Sequence, residues 1–519
     1  MVTLRMYMSI LLLGSMALTP LGVQAGPKSC DNRTNNTNSK LLECVTVDGV
    51  REHQAALQAI ADANGGIRTS GTPGYDESVD YVAARMTAAG YDVTVQPFQF
   101  NSFIVLGPST LEQTAPVVLP YVEETDYTLM SQTDAGDVSG LVTAVDLDLG
   151  LGNSSTSGCE VDDFAGFPAG HIALIQRGAC AFGLKADNAA AAGAVGAIIF
   201  NQGNEPDRTG LINGTLGSDY SGGIPVFFAT YDRGVEWAVT AGLEMHMIAD
   251  VFRGEATSFN VLAESTAGNG DNVVMVGAHL DSVNEGPGIQ DNGSGSAAIL
   301  EVAEQMAKVK PRNKLRFAWW GAEESGLVGS DHYVFGLAEE ELQKIALYLN
   351  FDMIGSPNYV RFIYDGDGSS FGLEGPEGSA PIEAFFEDFY ADRGLAFEST
   401  EISFRSDYAA FFDSGIPFGG LFTGAEGIKT PEQEATYGGT AGEQYDPCYH
   451  LACDTFDNIS LEVLDLNSDA VAAATLQYAM NTETVNGVKG KGNFKAKKVY
   501  DKSAAKSAKA DMHGPMMMR

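Results

Sequence analysis

Residues 273–282 read Val-Val-Met-Val-Gly-Ala-His-Leu-Asp-Ser. The apolar run 273–277 has the length and β-branched character of a buried strand, and it stops at His279 and Asp281. A Gly-rich loop leads from there to Asp291-Asn292-Gly293, where a helix is expected to begin near Ser294. The pattern then repeats. Residues 315–320 form a second apolar strand ending at Gly321-Ala322-Glu323-Glu324, and residues 346–351 a third ending at Asp352. Strands alternating with helices over 254–486 predict an α/β fold with a mostly parallel, mixed sheet flanked by helices. In such a sheet, residues just past the carboxyl ends of strands converge on one crevice. His279, Asp291, Glu323, Glu324 and Asp352 all occupy such positions.

Carboxylates gathered in one crevice disfavour each other's ionisation. Divalent cations relieve this, and imidazole with carboxylate ligands suits zinc. Three ligating carboxylates and one hydroxide carry −4, the charge of two Zn²⁺, so the charge sum favours two zinc ions per chain over one. A calcium site is left open by the sequence.

Several blocks in order resemble the secreted dizinc aminopeptidases of the aminopeptidase Y and bacterial leucine aminopeptidase type. They are GAHLDSV from Gly277, GIQDNGSGSAAILE from Gly288, WGAEESGLVGS from Trp320, NFDMIG from Asn350, RSDYAAF from Arg405 and DPCYHLACDT from Asp446. The resemblance spans about 45–110 and 254–486 and implies a zinc-exopeptidase-like fold. It implies that His279 and Asp352 complete one zinc site, Glu324 and His450 the other, and that Asp291 bridges them. Glu323 would be the general base, taking a proton from the attacking water and passing it to the leaving amine. Asp281 would orient His279, Tyr449 would donate a hydrogen bond to the tetrahedral oxyanion, and Arg405 would line the amino-end pocket. The substrate would be the amino end of a peptide or protein, with a large apolar first residue such as Leu. Glu323 and Asp352 could hold the free α-ammonium, which disfavours endopeptidase action.

A second resemblance covers the middle of the chain. Residues 171–202, HIALIQRGACAFGLKADNAAAAGAVGAIIFNQ, read as strand, Ala-rich helix, strand. Arg177-Gly178, Cys180, Phe182, Lys185, Ala192-Gly193-Ala194 and Gly196 follow the protease-associated domain, which implies a smaller, strand-rich α/β module inserted at 113–253. Its expected role is that of a lid or docking module. The catalytic domain is then 45–112 plus 254–486.

The ends and the cysteines indicate export. Arg5 precedes an apolar run from Met6 to about Leu21, with small residues for cleavage before Ala25, so residues 1–25 read as a signal peptide and the protein as secreted, extracellular or periplasmic. Residues 26–44 form a polar lead-in. The cysteines fall in three sequence-local pairs, Cys30 with Cys44, Cys159 with Cys180 and Cys448 with Cys453. An even number in an exported chain points to disulfides, and the local pairs are the expected partners, although sequence alone does not fix which join. Asn32, Asn35, Asn153, Asn213 and Asn458 open glycosylation-type triplets. A net charge of −37 argues against nucleic acid and anionic lipid as partners. No stable membrane insertion is expected after signal removal, and a monomer is expected. Residues 487–519 are basic and read as a disordered tail or a removable signal.

Other readings compete. Gly368-Ser369-Ser370-Phe371-Gly372 has nucleophile-elbow spacing after a strand-like 361–364, which would suit a serine hydrolase. A carboxypeptidase or glutaminyl cyclase of a neighbouring zinc family, and a non-catalytic binding protein on the same scaffold, are further alternatives. His53, His171, His246, His332 and His513 match no ligand position.

Overall fold

The computed structural model describes residue 30 and residues 32–206, 208–212, 214–217 and 219–488. The expected signal peptide, nearly all of the basic tail, His513 and Asn213 lie outside these residues. Two eight-stranded sheets organise the chain.

The first sheet runs, edge to edge, Asp92–Val105, Val251–Glu264, Asn313–Trp320, Asn269–His279, Ile345–Phe351, Phe418–Phe422, Phe362–Tyr364 and Glu398–Thr400. Its four central strands are parallel, while the long Asp92–Val105/Val251–Glu264 ribbon and the strand Phe362–Tyr364 join them antiparallel. The mixed, mostly parallel sheet read from the sequence is therefore present. Alternate side chains of the central strands enter cores on opposite faces, as period-two geometry requires. Val274, Val276, Leu315, Phe317, Leu347 and Leu349 pack under the helices Val47–Ala63, Pro73–Ala89, Gly293–Met306, Ala380–Ala391 and Leu461–Met480. Val273, Met275, Ala318, Trp320 and Tyr348 pack under Val328–Gly336 and Tyr408–Asp413.

Gly277 is required in this sheet. A Cβ there would stand 2.5 Å from the Tyr348 hydroxyl and 2.7 Å from Trp320 Nε1. The close approach lets Trp320 Nε1 donate to the Tyr348 hydroxyl at 2.9 Å, the first link of a chain that ends in the functional site.

The second sheet runs Leu119–Pro120, Thr110–Ala115, Glu244–Ala249, Gly136–Val145, Ile172–Gln176, Gly196–Phe200, Val226–Ala229 and Tyr127–Leu129. The strand, helix, strand reading of 171–202 is seen as Ile172–Gln176, Phe182–Ala191 and Gly196–Phe200. Three disulfides are formed: Cys30–Cys44, Cys159–Cys180 and Cys448–Cys453. No helix of the described residues is long and apolar enough to cross a membrane.

Local departures from the sequence reading have simple causes. Residues 78–89 read as an amphipathic helix ending at Gly90, and the helix in fact starts at Pro73, because proline is well suited to a helix's first position and the chain continues straight into the apolar repeat. Residues 91–98 alternate like a strand, and the strand extends to Val105, because pairing along all of Val251–Glu264 overrides its loss of alternation. Residues 26–44 were read as a lead-in, yet residues 38–42 form a short helix whose Leu41 is fully buried in the main core. Five residues are too few to show a helical period.

Candidate metal centre

The carboxyl ends of the parallel strands carry the candidate residues to one cleft. His279 is the last residue of its strand, Glu323 and Glu324 follow Trp320 by three and four residues, and Asp352 follows Phe351 directly. Asp291 precedes Asn292, the cap of the helix Gly293–Met306, whose side-chain oxygen accepts from Gly295 N at 2.9 Å. His450 arrives from the far end of the chain, inside the loop closed by Cys448–Cys453.

The geometry is specific. Asp291 presents Oδ1 at 3.1 Å from His279 Nε2 and Oδ2 at 3.2 Å from His450 Nε2. Asp352 Oδ1 lies 3.3 Å from His279 Nε2, and Glu324 Oε2 lies 3.2 Å from His450 Nε2. Three metal-competent triads result: His279/Asp291/Asp352 and Asp291/Glu324/His450, which share Asp291, and His279/Glu323/Glu324, with the ligand atoms of each within 4.8 Å of one another. Glu323 Oε2 stands 4.0 Å from His279 Nε2.

The donor set fits zinc. Imidazole nitrogens and carboxylate oxygens are its usual ligands outside thiolate sites. Glu324 Oε1 and Asp352 Oδ1 are buried without any hydrogen-bond donor, an arrangement that costs free energy unless a cation is supplied. Burial lifts Glu324 to about 7, with Asp291 adding to the shift and His450 opposing it. Burial also lifts Glu323 well above the carboxylate range, against the pull of His279 and with help from Glu324 and Asp407. Burial alone would lower His279 and His450, but the surrounding acids, Glu323 and Asp352 for the first and Glu324 and Asp291 for the second, raise both well above 6.5. Asp291, facing both imidazoles, is held below its ordinary range despite its burial.

Partners around the cluster fix its members. The chain begun at Trp320 continues as Tyr348 OH donates to Asn350 Oδ1 at 2.9 Å, Asn350 Nδ2 donates to Ser406 Oγ at 2.9 Å, and Ser406 Oγ donates to Asp352 Oδ2 at 2.6 Å. Asp281 meets His279 through its backbone: its carbonyl lies 3.2 Å from Nδ1, and its carboxylate Oδ1 lies 3.7 Å away. That same Oδ1 accepts from Glu323 N at 3.3 Å, so Asp281 links the histidine to the glutamate. Tyr449 stacks on His450 with ring centroids 3.9 Å apart, and its hydroxyl accepts from Arg405 Nη2 at 3.1 Å. Arg405 also pairs with Glu426 at 2.7 Å. Ala322, Met353, Phe404 and His450 all have positive φ. Each is a candidate residue or stands beside one, and such backbone strain concentrates where structure over-determines a functional geometry.

Two anchors escape sequence reading. Fully buried Arg68 donates to the carbonyls of Leu280, Pro287 and Gly288, tying down the loop between His279 and Asp291. Asp454 accepts from Gln290 N at 2.8 Å and Asp291 N at 3.0 Å. Asp454 lies inside the DPCYHLACDT block, which was its only signal; Arg68 carries none.

The other described histidines have partners of their own. His53 Nδ1 bonds the Tyr81 hydroxyl, His171 bonds Thr143, His246 pairs with Asp137, and His332 stacks on Phe98. Ser369 and Ser370 are exposed, and no helix begins after them until Ala380, so the strand-turn-helix of a nucleophile elbow is missing there.

Comparison with known proteins now places the chain. Residues 260–475 match peptidase family M28, and residues 138–237 match the PA domain. An aminopeptidase of Pseudomonas aeruginosa is 59% identical over 446 residues, which cover 86% of this chain and 83% of that protein. The chain belongs to peptidase family M28. Other similar proteins are aminopeptidases by name. Leucine aminopeptidase 2 of Trichophyton equinum is 47% identical over 330 residues, 63% of this chain and 66% of that protein. Among solved structures, a zinc aminopeptidase from Bacillus subtilis aligns with a TM-score of 0.61 at 27% identity, covering 88% of this chain and 98% of its own. An aminopeptidase from Aneurinibacillus sp. strain AM-1 aligns with a TM-score of 0.61 at 28% identity, covering 84% and 95%. In this M28 chain the PA match lies inside the second sheet, between the Asp92–Val105 strand and the rest of the first sheet.

Proposed function

We propose that this M28 peptidase is exported and uses two zinc ions to release single residues, preferably large and apolar, from the amino ends of peptides. The enzyme is an aminopeptidase. The dizinc reading rests on one observation: the two oxygens of Asp291 each face a different imidazole, at 3.1 and 3.2 Å. His279 and Asp352 would hold one ion, Glu324 and His450 the other, and Asp291 both. When bound, the ions supply the charge that lets these acids ionise together, polarise the scissile carbonyl and acidify a water.

Glu323 is the proton carrier. It takes the proton that the attacking water loses and delivers it to the leaving nitrogen as the C–N bond breaks. The water oxygen ends on the acyl carbon and the proton on the new amine. Asp281, by accepting the Glu323 N–H, fixes where the side chain starts. Arg405 donates to the Tyr449 oxygen, so the phenol's own hydrogen is left to donate to the oxyanion of the tetrahedral intermediate.

Exopeptidase action follows from the excess of acid. Glu323 and Asp352 offer a free α-ammonium its counter-charge, and only a chain terminus carries that group. The preference for residues such as Leu is supported by the leucine aminopeptidases among the relatives. The catalytic unit would comprise 45–112 and 254–486, with the inserted module, 113–253, as a lid or docking surface. Glu124 of that module and His450 of the cleft both act on the Glu285 carboxyl, an exposed residue, which supports a place for the module at the cleft's edge.

A panel of aminoacyl chromogenic substrates, their N-acetylated forms and carboxyl-terminal substrates tests this reading. Leucyl substrates should be cleaved and their acetylated forms should not. Equal rates on acetylated substrate would remove the ammonium argument. A preference for carboxyl-terminal substrates would favour a carboxypeptidase instead.

A further inference from the structure

A second cluster of acids stands away from the zinc cleft. The strand Phe362–Tyr364 runs antiparallel to Phe418–Phe422, so its carboxyl end is directed away from the ends that carry His279 and Asp352. It leads into Asp365-Gly366-Asp367-Gly368-Ser369. One carboxylate oxygen from each of Asp365, Asp367 and Glu383 lies within 4.8 Å of the other two.

Asp365 distinguishes this cluster from an ordinary acidic turn. Its side chain is wholly buried. Oδ2 accepts from Ser370 N at 3.1 Å and Phe371 N at 2.7 Å, but Oδ1 has no donor at all. Glu383, also buried, accepts from Asp367 N at 2.9 Å, and burial together with Asp367 and Asp365 lifts its carboxyl to about 7. A buried acid oxygen facing two other acids is relieved by a proton or by a cation, and a cation serves all three acids at once.

We propose that Asp365, Asp367 and Glu383 form a calcium site. The ligands are all carboxylate oxygens, which selects a hard cation over zinc. Calcium accepts irregular oxygen cages and gives up its water readily, whereas magnesium demands a near-ideal octahedron. Asp367 is exposed, which leaves room for waters to complete the coordination. An affinity of about 10⁻⁴–10⁻³ M, usual for extracellular modules, would fill the site outside a cell.

The site's placement says what the ion does. Glu383 lies in the first turn of the helix Ala380–Ala391, and Asp365 N donates to Thr400 O at 3.0 Å. Thr400 ends the edge strand, and the chain then runs directly to Arg405 and Ser406 beside the zinc cleft. Calcium therefore fastens a loop, a helix start and the edge strand into one unit.

The test uses the zinc-loaded enzyme, freed of calcium and titrated calorimetrically with CaCl₂, with MgCl₂ in parallel, for the wild type, Asp365→Asn and Asp367→Asn. Thermal scans with and without calcium accompany each titration. The wild type should bind one Ca²⁺ per chain with a rise in Tm of a few degrees, and each variant should bind at least about tenfold more weakly with a correspondingly smaller rise. Because Asp367 is exposed, its variant remains informative even if Asp365→Asn fails to fold. Absence of calcium binding by the wild type, or an equal calcium-dependent rise in Tm in both variants, would overturn the proposal.

Discussion

The two sheets share a construction and differ at their strand ends. Each holds a run of parallel neighbours with helices packed beside them: Asn313–Trp320, Asn269–His279, Ile345–Phe351 and Phe418–Phe422 in the first, and Gly136–Val145, Ile172–Gln176, Gly196–Phe200 and Val226–Ala229 in the second. In the second sheet Gln176 and Asn201, at and past the strand ends, find partners, while the amide oxygen of Asn204 is buried without one. Gln176 Oε1 accepts from Asp148 N, and its Nε2 donates to the carbonyls of Asp148 and Gln202. Asn201 accepts from Gln202 N and Arg177 and donates to Gly210 O. In the first sheet Asp281 Oδ2, Glu324 Oε1 and Asp352 Oδ1 are buried with no donor. No metal-competent group occurs among the described residues of 110–249. Parallel topology creates a crevice, and polar groups left without partners there make it a site.

The sharpest way to break this contrast is at Glu323. Glu323→Gln should lower kcat by about 10²–10⁴-fold while metal content, read by elemental analysis, stays that of the wild type. Retained turnover would remove it as proton carrier.

Metal removal should next expose the cost of the buried acids as a function of pH. Glu324 without metal has its folded-state pKa raised from 4.5 to about 7. An acid shifted upward stabilises the fold fully below its unfolded pKa, and that contribution is lost as pH rises through the folded value. The raised histidines act in the same direction. Chelated protein should therefore lose stability between about pH 4.5 and 7, on the order of 3 kcal/mol from Glu324 alone. Tm measured against pH, with and without chelator, checks this; the gap should widen as pH rises.

The disulfides offer a third comparison. Cys159→Ser with Cys180→Ser, in the second sheet's module, opens a separation of 21 residues and should cost about 3 kcal/mol with metal content unchanged. Cys448→Ser with Cys453→Ser opens a separation of 5 and should cost only about 2 kcal/mol, yet it should weaken zinc retention by freeing His450. Denaturation curves and zinc release into a chromogenic chelator separate the two effects. The smallest effect on the cleft is expected at Gln176→Ala, which should cost about 1–3 kcal/mol in stability for its stranded partners and leave kcat and metal content intact.

Much of this was legible in the chain. The helix Val47–Ala63 has the bounds its apolar spacing predicts, and the central strands differ from their expected ranges by a few residues at their starts. His279, Glu323, Glu324 and Asp352 were legible because strand ends are visible as apolar runs that stop at acids or histidine, and Asp291 because a helix start follows it, whereas His450, Tyr449 and Arg405 were indicated only by the resemblance of their blocks to the family. Arg68 was not, since its three acceptors are carbonyls 212 to 220 residues away and carbonyls carry no sequence signature. Ser406 stood in a motif, but its hydrogen bond to Asp352 depends on how the two strand ends are turned toward each other. Asp365 and Asp367 precede a stretch whose spacing suggests a nucleophile elbow, and only burial distinguishes an orphaned acid from a polar turn.

Zinc content per chain, measured for the wild type and for Asp291→Asn after dialysis against metal-free buffer, tests the central claim most directly. A shared carboxylate predicts two zinc ions on the wild type, and a variant that loses metal from both triads that share it together with its activity. A wild type that retains one ion or none at full activity, or an Asp291→Asn protein that stays fully loaded and active, would contradict it.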